Sequence, residues 1–284
     1  MAARYRILHI MGTASFAGKA VNQIVEQLAT SLDPNKFVLE ACFLRCGEFT
    51  DRFRNLGIRS TCVDWSGSPK SLLGAAKYAM LLRSAKYDLI HQHTGGRFLT
   101  KMNRILTRAK ILRHVHGRAS EESGDVSSVL HLPERDLTIA NSKIVADACG
   151  DPNAIVIYPG IDVNEFRSDR TVRCGPIVGA ASRLEPVKGI ATLIDAIAIV
   201  AAEHPSTRLE IAGDGSSRSA LEHLAEKLGL SENVSFLGWR NDINSVLQSW
   251  GIFIQPSLDE GFGVSVLEAM ASGRPVIASA VLRS

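Results

Sequence analysis

The 284-residue sequence predicts an α/β protein of two Rossmann-like domains, each a parallel sheet with helices on both faces. Three observations carry that expectation. Short apolar runs alternate with amphipathic stretches along the whole chain, several runs end in glycine-bearing loops, and the length suits about two domains. Apolar residues make up 45% and charged residues 21%, an ordinary globular composition. A net charge of +3 is too small to argue for nucleic acid as a partner. No uncharged run reaches the roughly 18 residues of a membrane span, and the N-terminus enters a strand without a secretory leader. Five cysteines (Cys42, Cys46, Cys62, Cys149 and Cys174) lack zinc-like spacing. Their odd number predicts reduced thiols in the cytoplasm, with Cys42 and Cys46 as buried core thiols.

The first domain is placed at residues 1–165. Tyr5 to Met11 reads as a strand, followed by a loop bearing Gly12 and Gly18 and by an amphipathic helix to Ser31. The six-residue dinucleotide fingerprint is absent, so a nicotinamide cofactor is weakly supported. Phe37 to Leu44, Ile58 to Val63 and Tyr87 to His93 read as further strands, with helices over Glu48 to Leu56 and Leu72 to Ser84 between them. Leu137 to Ala140 and Ala154 to Tyr158 are short strands around a helix that Asn141-Ser142 caps. Ser120 to Leu132 reads as a mobile loop.

Two features of this half bear on function. His91-Gln-His93 and His114-Val-His116 each place two imidazoles on one face of a strand, and ligands of parallel sheets bind beyond the strands' carboxyl ends. A zinc site is the sharp reading. With no acidic partner between the pairs, core or surface histidines are the favoured reading for His91 and His114, and no metal is expected. Arg97, Lys101, Arg104 and Arg108 recur at helical spacing opposite Phe98, Leu99, Met102, Ile105 and Leu106. Residues 97–108 therefore read either as a sheet-covering helix with a solvated basic face or as a helix lying on an anionic membrane.

Residues 166–284 form the second domain, entered through a polar stretch from Arg167 to Gly175. Pro176 to Ala181 is a strand, and Arg183-Leu-Glu-Pro-Val-Lys188-Gly189 leads into a helix over Ile190 to Glu203. An Arg and a Lys at such a junction can clamp a diphosphate, the Arg as a planar fork and the Lys as a compact charge. Leu209 to Gly215 is a strand closing in Gly213-Asp214-Gly215, and Asn233 to Arg240 another strand. Asn241-Asp242 caps a helix to Ser249, and Gly251 to Gln255 is a buried strand. Next comes Glu260-Gly261-Phe262-Gly263, a strand-to-helix turn where glycines and free amides favour an anionic or polar ligand. Val264 to Ala271 reads as a helix stopped by Gly273 and Pro275, with Glu268 inside it.

Glu260 and Glu268, with seven residues between them and Gly-Phe-Gly after the first, resemble the signature of glycosyltransferase family 4. The Gly18 loop, His116-Gly117, Arg183 with Lys188-Gly189, and Gly213-Asp214-Gly215 follow that family's order over nearly the whole chain. The resemblance implies the GT-B fold, two Rossmann-like domains facing a cleft, and a retaining transfer from a nucleotide-diphosphate sugar to a glycan or polyprenyl-linked acceptor. It implies that Glu260 and the amides of Gly261, Phe262 and Gly263 hold the donor sugar. Glu268 then holds the ribose, Arg183 and Lys188 the phosphates, and His116 the sugar from the acceptor domain. Gly18 and Gly213 border the donor, and Trp239 and Arg240 follow the Phe-Leu-Gly segment that lies near the base. No metal or other cofactor is expected, because the cationic pair serves the diphosphate. Peripheral attachment to the inner face of the plasma membrane and a role in surface polysaccharide synthesis follow from the same resemblance. The family continues past Val276-Ile-Ala-Ser279 with further elements, so an incomplete second domain, weak in stability and turnover, is expected. The alternatives are a sugar-nucleotide epimerase of the same fold and a non-catalytic nucleotide-sugar-binding fragment.

Overall fold

The alternating runs fold as two parallel sheets in a computed structural model, which describes residues 4–14, 19–65, 71–117, 136–167 and 176–281. The chain divides into two units, Met1–Pro159 and Gly160–Ser284. In the first, β1 (Tyr5–Thr13), α1 (Lys19–Ser31), β2 (Phe37–Arg45), α2 (Phe49–Asn55), β3 (Arg59–Cys62) and α3 (Leu72–Ser84) lead to β4 (Leu89–Gln92). Then follow α4 (Arg97–Leu106), β5 (Lys110–Val115), β6 (Leu137–Ala140), α5 (Lys143–Ala148) and β7 (Ile155–Val156). The strand order is β3-β2-β1-β4-β5-β6-β7, so the winding reverses between β1 and β4. In that pair His9 stands in register with His91.

Helices cover both faces of this sheet because β1 is apolar on both. Leu8 and Ile10 pack with Tyr78 and Leu82 of α3 and Leu99 of α4. Met11, one residue out of phase, joins Ala41 and Phe43 against Val25 of α1 and Phe49 and Phe53 of α2. Each such side chain contributes about 1.5–3 kcal/mol on burial, which is why β1 tolerates the polar His9 in its middle.

The second unit runs α6 (Val163–Phe166), β8 (Ile177–Ala181), a 3-10 turn (Pro186–Lys188), α7 (Ile190–Glu203), β9 (Arg208–Ala212) and α8 (Arg218–Lys227). It continues through β10 (Val234–Gly238), α9 (Ile243–Ser249), β11 (Ile252–Gln255), α10 (Val264–Ala271) and β12 (Val276–Ala278). The order β10-β9-β8-β11-β12 repeats the first sheet's plan, with its reversal between β8 and β11. Phe166 is buried with Trp250 and Phe253 in this unit's core.

Several expectations change. Cys46 and Cys62 are joined in a disulfide, not reduced, because adjacent parallel strands β2 and β3 bring their C-terminal ends to a Cα separation of 5.6 Å. Cys46 is thus no core thiol, whereas Cys42 and Cys149 are free and buried. The helix read over residues 97–108 stops at Leu106, so Arg108 leaves the shared face. The strand expected at Ala154 to Tyr158 shortens to Ile155–Val156. The loop expected at Ser120 to Leu132, and most of the stretch from Arg167 to Gly175, lie outside the described residues.

Candidate functional site

The loops after β8 and β11 flank the reversal point of the second sheet, where parallel sheets open a crevice. They carry Arg183 with Lys188 and the acidic motif. Lys188 Nζ donates to Glu260 Oε2 at 2.7 Å, across 72 positions of sequence. The same oxygen accepts from Gln255 Nε2 at 2.8 Å and Ser257 Oγ at 3.2 Å. Ser265 Oγ in turn donates to Gln255 Oε1 at 2.8 Å. Glu260 is thereby fixed by one cation and two neutral donors while a fifth of its side chain stays exposed. Three donors on one carboxylate oxygen leave the other oxygen for a hydroxyl-rich ligand.

Backbone contacts set this geometry. The amide of Leu258 donates to the Val187 carbonyl at 2.8 Å, tying the acidic motif to the 3-10 turn. Gly189 stands at φ +65, and a Cβ there would lie 2.0 Å from the Pro256 carbonyl oxygen. Only glycine lets the two loops approach so closely. Gly263 opens α10 at φ 87, a turn that presents the first amides of the helix to the loop. Glu268 lies one turn into α10 and is buried. At the far end Arg274 is buried, donating to the carbonyls of Ser272 and Trp250 at 3.0 Å. Its role is to hold the exit of the helix.

The Arg183 loop is also stitched to the turn after β9. Leu184 N donates to Asp214 O and Ser217 N to Leu184 O, both at 2.9 Å, and Gly213 N bonds Gly238 O at 2.7 Å. This brings the Arg183 segment, Gly213 and the end of β10 side by side. Arg183 itself is exposed. Trp239 is 38% exposed, and Arg240 pairs with the carboxylate of Asp242 through Nε at 2.8 Å and Nη2 at 2.6 Å. That pairing raises the Arg240 pKa and lowers that of Asp242. A base contact by Arg240 therefore competes with Asp242. Gly18 lies outside the described residues.

In the first unit His116 follows β5, half-buried, with Asn141 Nδ2 donating to its carbonyl at 2.6 Å. Its Nε2 lies 3.1 Å from His93 Nδ1, and His93 Nε2 lies 3.2 Å from His9 Nδ1. His91 Nε2 and His114 Nδ1 are 3.3 Å apart. The quartet read from sequence is a quintet. His9 was hidden by its single occurrence in an apolar strand, and only strand register reveals it. Burial, the chief cause, pushes His9 and His116 down to about 3 and His114 to about 4. His91 and His93 are lowered too, by burial first and then by neighbouring imidazoles. All five rings are neutral at pH 7. On α4, Arg104 Nε is 3.2 Å from Asp136 Oδ2, so one cation of the basic face is already paired.

Sequence and fold comparisons show what the chain is similar to. Residues 164–283 match the family model described as Glycosyl transferases group 1. An uncharacterized glycosyltransferase of Methanocaldococcus jannaschii is 29% identical over 228 residues, covering 69% of this chain and 58% of that protein. The lipopolysaccharide core biosynthesis glycosyltransferase LpsE of Rhizobium meliloti is 36% identical over 104 residues, 37% of this chain and 29% of LpsE. The chain thus spans less than two thirds of the curated relatives it matches. Anabaena HepE, crystallised with UDP and glucose, superposes with a TM-score of 0.80 at 24% identity, covering 97% of this chain and 80% of HepE. Two parallel α/β sheets and this likeness give the chain the GT-B type of fold, and its residues 164–283 match the group 1 glycosyl transferases.

Proposed function

We infer that the chain is a retaining glycosyltransferase that moves a sugar from a nucleotide-diphosphate donor to a glycan or polyprenyl-linked acceptor. The contact of Lys188 with Glu260 at the reversal point of the second sheet carries this reading. A cation and a carboxylate held within 2.7 Å suit a ligand that is anionic at one end and hydroxylated at the other. Lys188 and Arg183 neutralise the diphosphate as the anomeric bond breaks, which is electrostatic stabilisation of a leaving group. Glu260 and the amides of Gly261, Phe262 and Gly263 position the sugar, Glu268 holds the ribose, and Gly213 with Trp239 and Arg240 borders the nucleotide. With two cations at the phosphates, the transfer needs no metal at the diphosphate.

A thermal-shift panel of UDP-, GDP- and ADP-sugars tests the donor class, with UDP-glucose first because HepE is crystallised with it. No shift with any member overturns the reading. Product analysis on donor alone separates transfer from epimerisation, and binding without turnover in the presence of acceptors would indicate a non-catalytic fragment. Peripheral membrane binding rests on Lys101, Phe98 and Ile105, which remain exposed on α4. Flotation with anionic vesicles tests it, and recovery independent of lipid charge would end it. Among the described residues no helix is long and apolar enough to cross a membrane.

A further inference from the structure

We propose that His9, His91 and His93 form a binding site for one zinc-class divalent ion, with His114 and His116 as its outer hydrogen-bonding partners. The site lies in the first unit and does not depend on the donor reading. One nitrogen from each of the three rings lies within 4.8 Å of the others. Nitrogens 2.0–2.1 Å from a tetrahedral ion are about 3.3 Å apart. His9 Nδ1 and His93 Nε2 stand 3.2 Å apart, a gap an ion fills without moving either strand.

The ion takes the place of the proton that otherwise sits between His9 and His93. Both rings remain neutral, His9 with its proton on Nε2 and His93 with its proton on Nδ1. His93 Nδ1 then donates to His116 Nε2 at 3.1 Å, and His91 is braced by His114 at 3.3 Å. Ligating histidines are typically oriented through their second nitrogen in this way. His9 lies on β1 and His91 and His93 on β4 and at its end, the two strands that flank the reversal point. An all-imidazole donor set favours zinc, copper, nickel or iron over magnesium or calcium, and three such ligands leave a fourth position for water.

The test uses the full chain, stripped with a chelator and titrated with Zn2+ and with Co2+ as a coloured substitute. One ion per chain and the visible absorption of a four-coordinate Co2+ centre are expected. His9→Ala and His93→Gln should each weaken binding at least tenfold, with circular dichroism and melting confirming that they fold. His114→Ala should leave the stoichiometry at one. The exposed pair His204 and His223, changed together to Ala, should alter nothing. Failure to bind Zn2+ or Co2+, binding that survives His9→Ala and His93→Gln, loss on changing His204 and His223, or loss with His114→Ala but not with His9→Ala would each overturn the assignment.

Discussion

Lys188 Nζ sits 2.7 Å from Glu260 Oε2, so the cation proposed for the diphosphate already neutralises the acid proposed for the sugar. An incoming donor must share that lysine. Lys188→Ala removes both the charge and one of three donors on Glu260, and donor affinity should fall by more than tenfold. Glu260→Gln retains much of the local hydrogen bonding and should lower turnover more than binding. Calorimetry with UDP-glucose, followed by initial rates, separates the two. Unchanged affinity in Lys188→Ala would remove the diphosphate clamp.

Gly189 is the second point of leverage. An alanine there must occupy the left-handed region and also meet the Pro256 carbonyl at 2.0 Å. The backbone term alone costs about 1–2 kcal/mol, and relieving the overlap parts the loops that bring Lys188 to Glu260. Gly189→Ala should lower the stability of the second unit by more than about 2 kcal/mol and abolish donor binding. Gly229, also at positive φ but with open space around it, is the control and should cost only the backbone term.

Residues marked by charge or glycine spacing were readable from the sequence, and pairings that depend on placement in the fold were not. The run of Val264 to Ala271 between glycines gave α10 to the residue, because a helix bounded by Gly263 and Gly273 has no freedom in its length. Lys188 and Glu260 were each visible as charged residues beside glycine, and the structure adds that they touch. Gln255 and Ser265 escaped notice, since a glutamine ending a strand reads as solvent-facing until β11 is seen to be central. His9 escaped for the same reason. The Cys46–Cys62 bond depends on neighbouring strand ends, which an odd cysteine count cannot express. Arg104 read as a free cation because Asp136 lies 32 residues further on.

Burial of Cys42 gives a pH dependence with a definite sign. Its thiol is pushed up from 9.0 to about 12 by desolvation. Above pH 9 the unfolded chain loses this proton while the folded one keeps it, so stability falls as pH rises from 9 towards 12. At pH 10.5 the difference amounts to about 2 kcal/mol. Cys42→Val keeps an apolar side chain and removes the titration. Urea midpoints of the two proteins should agree at pH 8 and diverge by pH 10.5, the wild type falling further. Parallel curves would contradict the burial.

Asp136 links stability to the surface of α4. Its side chain is fully buried, paired with Arg104 Nε at 3.2 Å and accepting from the Ile111 amide at 3.0 Å. Asp136→Ala leaves a cation and a strand amide short of an acceptor, and losing one partner of a buried pair costs about 3 kcal/mol. Asp136→Asn keeps an acceptor for Ile111 and should cost roughly half as much. Both should be visible as earlier unfolding of the first unit in urea. Freeing Arg104 also adds one unpaired charge to the helix bearing Lys101, Phe98 and Ile105. If that face meets anionic lipid, Asp136→Asn should float with anionic vesicles more completely than the wild type despite its lower stability. Greater instability with unchanged flotation would assign Asp136 to the core of the first unit and take α4 away from the membrane.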